Sequence, residues 1–327
     1  MMESDIQITV KGLERGFASQ VGEAVGDVVR ELNNQLDFRR MHRIVVTTDF
    51  AGELKELSAQ TVSRNPITHT NEDYAVAVAK VMLLPLGNEY EIVPVINAHI
   101  VSVLATENED DLNEDQFNNV LHYLHHELCH VHDDNKKIDA LHDVMLKQPY
   151  VGKEMFIGPL AEACWSEYYA NRLSSTSVTE TAIVDLTMSF KDAIIRTKPL
   201  IDKEILSYRF HADLNRLMAA VERHGGFLVR TAAYTLGYVD GLEKPLPQLS
   251  PEADATLNNS YFQSTWDAIH DALREMYKLY PDGWKKLSVY DGLATALEHY
   301  YAEMGLLLST MDDGRAYVNV PFRKETT

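Results

Sequence analysis

Histidine and glutamate recur at metal-binding spacing in the stretch LHYLHHELCHVHDD, residues 121–134. Its centre is His126-Glu127-Leu128-Cys129-His130, an H-E-x-x-H pentapeptide. On an α-helix, residues i and i+4 lie about 40° apart around the axis, so both imidazoles can reach one ion. Glu127 stands beside them and can take a proton from water bound to that ion. The chemistry expected is hydrolysis assisted by Zn2+, with His126 and His130 as ligands and Glu127 as the catalytic base.

The pentapeptide works only on a helix, and the surrounding residues predict one. Phe117, Val120, Leu121, Leu124, Leu128 and Val131 form an apolar stripe next to the His126/His130 face. His122 precedes His126 by one turn and is expected to support the ligands from behind. His125 and His132 are expected to face outward. Cys129 and Cys164 are too few for a disulfide framework and read as buried small residues.

Catalytic zinc usually takes three protein ligands and keeps the fourth position open. His130 is followed by Val-His-Asp-Asp-Asn, which lacks the glycine and third histidine of an extended metzincin motif. A better third ligand lies downstream in AEACWSEYYANRLSS, residues 161–175. Glu167 has small neighbours there: Ala163, Cys164, Ala170, Asn171 and Ser174. A small face lets one helix approach another closely enough for a carboxylate to reach the ion. Asn171, one turn beyond, would orient Glu167. Glu162 is the rival, about 140° around the same helix.

His126-Glu127-x-x-His130 followed by Glu167-x-x-Ala170-Asn171 resembles the ImmA/IrrE type of small gluzincin metallopeptidase, over roughly residues 40–176. The resemblance implies a short sheet before the active helix, helices after it, a third ligand from the E-x-x-A-N helix, and peptide-bond hydrolysis. The sequence departs from that pattern at Leu173-Ser174, where the family usually has Phe-Ala. Its long C-terminal region also carries no basic helix-turn-helix.

The function expected is a zinc-dependent endopeptidase that cleaves a specific intracellular protein. An edge strand near Ala98–Leu104 would bind an extended peptide by strand addition. His99, Tyr208, His211 and Tyr234 are the oxyanion candidates, unranked. Two other readings stay open: a zinc-binding sensor with little turnover, and a helical interaction protein with a structural zinc. The second needs a fourth protein ligand, from His99, Asp133 or His211.

The elements that must position these residues divide into two parts. Phe17–Leu36 has helical spacing, and Arg43–Asp49 is a β-branched strand. Tyr74–Leu84 and Glu91–Leu104 are strand-like, with a turn at Leu86–Glu89, and Pro94 divides the second, marking it as an edge strand or two short strands. Glu107–Asp115 is an acidic loop, with Asp111 and Glu114 as a capping box for the active helix. Helices are expected over 114–133, 136–146, 159–175, 178–196, 200–224, 227–240, 252–280 and 289–309, and a short strand over 315–320. The fold class is therefore α+β, with a zincin-like core over 1–176 and a helical region over 177–327.

The 327 residues carry a net charge of −19. That balance argues against nucleic acid and against an anionic membrane surface as partners. No apolar run reaches the roughly 18–20 residues of a membrane helix, and the N-terminus has no apolar signal region. A cytoplasmic protein with a protein or peptide substrate is expected. The oligomeric state is not legible.

Overall fold

The computed structural model describes residues 6–60, 71–72, 75–76, 79–87, 89–105, 113–141 and 148–322. Residues 107–112 of the acidic loop, the Asp111 cap among them, lie outside the described residues, and Glu114 and Asp115 already belong to the following helix. The fold is mixed, with a small N-terminal sheet and a mostly helical remainder, as the sequence predicts. Contacts divide the chain into residues 1–148 with 176–181, and residues 149–175 with 182–327. The sequence division at 176 places the helix bearing Glu167 with the core; the contacts group that helix with the C-terminal helices.

The first unit runs β1 (Gln7–Lys11), α1 (Arg15–Leu32), β2 (Arg43–Thr47), α2 (Phe50–Ser58), β3 (Asn71–Glu72), β4 (Ala75–Val76), β5 (Ala79–Leu86), β6 (Glu89–Asn97), α3 (Ala98–Val101) and α4 (Glu114–Leu141). The main sheet has the order β1-β2-β6-β5. β1, β2 and β6 are parallel, and β5 joins β6 as an antiparallel hairpin. Gly87, with φ +62°, takes the left-handed position the hairpin turn needs.

Strand alternation sorts the core into two layers. Val45, Val93 and Val95 pack with Leu54 and Leu57 of α2. Ile44, Pro94 and Ile96 line a narrow crevice with Val25 and Val29 of α1 and with Leu124, Glu127 and Leu128 of α4. The H-E-x-x-H helix is thus seated on the sheet through the apolar stripe read from its sequence.

Two readings near the sheet are corrected. Pro94 lies in an inner strand, not an edge strand; the parallel ladder to β2 pairs only Val95–Asn97, so the missing N–H of Pro94 falls outside it. Ala98–Leu104 is not a strand at all. It forms α3 and then a 3-10 turn over Ser102–Ala105, started by Asn97, whose Oδ1 accepts from the His99 N–H at 3.1 Å. Helical backbone spends its donors internally, so this segment offers no strand pairing to a peptide.

The active helix is longer than expected, continuous to Leu141 where a break was predicted near 134–135. Asn113 caps its start, accepting from the Gln116 N–H at 3.1 Å. Its second half is tied to the segment after α1. Asn135 Nδ2 donates to Asp37 O at 2.8 Å, Lys136 pairs with Asp37 at 3.1 Å, and Arg40 pairs with Asp139 at 2.8 Å.

The second unit runs α5 (Glu154–Ser174), α6 (Glu180–His211), α7 (Leu214–Val221), a π-turn over Glu222–Gly226, α8 (Phe227–Gly241), α9 (Leu246–Leu249), α10 (Pro251–Asn258), α11 (Gln263–Leu279), α12 (Asp291–Glu303), and the hairpin β7 (Leu307–Thr310) and β8 (Ala316–Asn319). Aromatic rings fill its centre. Trp165 packs on Trp284 and Tyr280 with centroids 4.6 and 5.0 Å apart, and the Trp284 indole N–H donates to Met276 O at 3.1 Å.

α5 and α8 approach closely because glycine replaces side chains where they meet. A Cβ on Gly237 would stand 2.6 Å from Tyr168 O and 2.7 Å from Asn171 Cβ. Gly241, four residues on and on the same face, is as crowded against Arg172 O. Gly237→Ala would have to push backbone against backbone. It is expected to destabilise the second unit by about 1–3 kcal/mol, read as a lower denaturation midpoint in urea. An unchanged midpoint would show that the two helices separate freely.

Candidate metal centre

α4 carries both histidines of the pentapeptide on one side. His126 Nε2 and His130 Nε2 are 3.0 Å apart, with the rings edge-to-face at 90°. This is near the roughly 3.3 Å that two nitrogens take about one tetrahedral ion at ~2.0 Å. His126 is buried and His130 half-buried. One ligand atom from each of His126, His130 and Glu167 lies within 4.8 Å of the other two. The group has no fourth member among the described residues, so Glu162, His99, Asp133 and His211 do not join it. Two imidazoles and one carboxylate form a donor set that suits zinc.

Glu127 is half-buried beside His126 and borders the crevice between α4, α1 and the sheet. It is outside the ligand group, as a proton-transferring carboxylate must be.

The other histidines of α4 are structural anchors. His122 and His125 are both buried, and their Nδ1 atoms lie 3.1 and 2.8 Å from Ser177 Oγ. The expected outward orientation of His125 is therefore overturned. Spacing along α4 shows only which helix face His125 occupies; the return of residues 176–181 onto that face covers it. Burial, helped by neighbouring His126, lowers the His125 pKa to about 4, so it is neutral near pH 7. His122, one turn before His126, places its Nδ1 on Ser177, and α4 is seated on the sheet through its apolar stripe. His132 does not face free water either: its Nδ1 accepts from the Asp37 N–H at 2.7 Å, and burial lowers its pKa.

Asn171 does not orient Glu167. Its Nδ2 donates to Tyr234 O on α8 at 3.0 Å. The small residues of α5 that predict a close helix neighbour are used in part here, at the crossing with Gly237. Glu167 itself is half-buried on α5.

The oxyanion candidates are scattered. His99 is exposed on α3, and His211 Nδ1 accepts from the Asp213 N–H at 2.8 Å just past α6, with Tyr208 packed beside it. Tyr234 is half-buried on α8. None of them is assigned a role by these placements.

Both thiols are fully buried, and burial raises both pKa values, so neither is a reactive thiolate at neutral pH. A signal that sequence reading missed is Asp240, whose carboxylate gathers Tyr168, Arg172, His270 and Arg274 around it. It stands far from these residues along the chain, so no local pattern marks it. No helix among the described residues is long and apolar enough to cross a membrane.

No protein-family model, no curated protein and no solved structure matches this chain.

Proposed function

We propose that this chain is a zinc-dependent endopeptidase, with His126, His130 and Glu167 holding the ion and Glu127 serving as catalytic base. The observation that carries the reading is the set of three ligand atoms within 4.8 Å of one another, with a carboxylate that is not a ligand between the two histidines in sequence. Three protein ligands leave a position for chemistry, whereas a structural zinc is closed by four. Bound there, zinc supplies Lewis-acid polarisation of a carbonyl and acidification of a water. Glu127 accepts the proton of the attacking water at its carboxylate and returns it to the leaving amine. The substrate is a peptide segment of another protein, and the compartment is the cytoplasm. Resemblance to the ImmA/IrrE type supports the reaction class through the same residues.

Zinc titration of the chelator-treated chain tests the ligand set. Wild type is expected to bind one ion per chain. His130→Ala is expected to bind at least about 100-fold more weakly, because it removes one of three ligands. Equal affinity in the two proteins, or no zinc uptake by wild type, would remove the metal and the enzyme reading with it.

A further inference from the structure

Helix α6 is apolar on two opposite sides. One side is buried, through Phe190, Ile194, Ile201 and Ile205. The other is exposed: Val184 at 54%, Met188 at 42%, Ile195 at 56%, Leu206 at 37% and Phe210 at 92%, with exposed Pro199 between them. At 100° per residue these six fall within about 80° of arc. A surface helix ordinarily carries a single apolar stripe, and a second, exposed one marks an interaction surface.

The exposed stripe has an 11-residue period. Val184, Ile195 and Leu206 hold one position, Met188, Pro199 and Phe210 the next, and Asp192 and Lys203 the third. That period is 3.67 residues per turn, so the stripe runs nearly straight for about 39 Å. It also matches itself when reversed. Laid antiparallel on a copy about Thr197, Val184 meets Phe210, Met188 meets Leu206, and Ile195 meets Pro199. Asp192 then falls within one residue of Lys203 of the partner subunit, twice by symmetry.

We propose that the exposed face of α6 is the two-fold interface of a homodimer, with the two α6 helices antiparallel. A two-fold contact uses the same patch on both copies, and this stripe has the required self-complementarity.

Sedimentation equilibrium of the full chain tests this. Wild type is expected to sediment at twice 37.0 kDa at tens of micromolar. Ile195→Glu, at an exposed position that leaves the fold intact by circular dichroism, is expected to weaken association at least about 100-fold, since it puts a charge at the interface centre. Asp192→Lys is expected to weaken it about fivefold, and Asp192→Lys with Lys203→Asp to restore it. A wild type that remains a single chain at about 100 µM overturns the proposal. So does a dimer indifferent to Ile195→Glu, or a double charge swap no better than the single one. The last result would point to another partner surface or to a parallel register.

Discussion

Glu127→Gln is expected to keep one zinc ion per chain and to lose peptide hydrolysis by about 10²- to 10⁴-fold. Glutamine copies the shape of glutamate but cannot accept a proton, and Glu127 is not among the three ligands. Metal content and activity therefore separate in this one variant, whereas they fall together in His130→Ala. Zinc analysis of both proteins, paired with cleavage of a peptide library, reads the two quantities. Full activity in Glu127→Gln would exclude it as the base. A wild type that binds zinc and cleaves nothing would favour the sensor reading, in which the ion is held without turnover.

The chemistry was legible because it is local. His126, Glu127 and His130 sit within one turn and a half of a helix, and the apolar stripe that seats that helix is read from the same fifteen residues. What could not be read is where side chains spend their hydrogen bonds over long separations. Asn171 looks like a partner for Glu167 from its place one turn on, yet its amide goes to Tyr234, 63 residues away. The helix break predicted near 134–135 follows from the polar run His-Asp-Asp-Asn-Lys-Lys. That run stays helical because Asp37 and Arg40 satisfy it from outside, and because Lys137 pairs with Asp133 at 2.8 Å. Short apolar alternation over Ala98–Leu104 predicts a strand, but it fits a helical turn equally well. The deciding residue was Asn97, a cap visible in the sequence but read as part of a strand. In the second unit α8 ends within one residue of the helix expected over 227–240, but the helices expected over 178–196 and 200–224 are one helix, α6, which runs through Pro199 to His211, and the one expected over 252–280 is broken between Asn258 and Gln263. The glycine pair that brings α5 against α8 is not legible in the sequence, since a glycine face has meaning only once its partner is known.

Asp240→Ala is expected to lower the stability of the second unit by about 3–5 kcal/mol, because removing one side of a buried ionic cluster strands the others. Asp240 is buried on α8, and its carboxylate binds groups from two other helices. Oδ2 accepts from Tyr168 OH at 2.6 Å and from Arg172 Nη1 at 3.3 Å, both on α5. Oδ1 lies 3.0 Å from His270 Nε2 and 3.3 Å from Arg274 Nε, both on α11. The Arg172 guanidinium also lies 3.7 Å from the centre of the Tyr277 ring. Burial by itself would raise the Asp240 pKa. The hydrogen bonds from His270 and Tyr168, and the charges of His270 and Arg274, outweigh it and hold the carboxyl below its ordinary 3.8. Because the folded pKa is the lower one, the unfolded chain binds the proton more readily. The contribution of Asp240 is therefore full above about pH 4 and is lost as pH falls through the folded value. Urea denaturation at neutral pH and at about pH 3 checks both statements. Wild type should lose more stability between the two than Asp240→Ala does, and the difference should shrink towards acid. If the variant stays within about 0.5 kcal/mol of wild type at neutral pH, the cluster does not hold α5, α8 and α11 together, and α5 is positioned by the glycine contacts and the aromatic core alone.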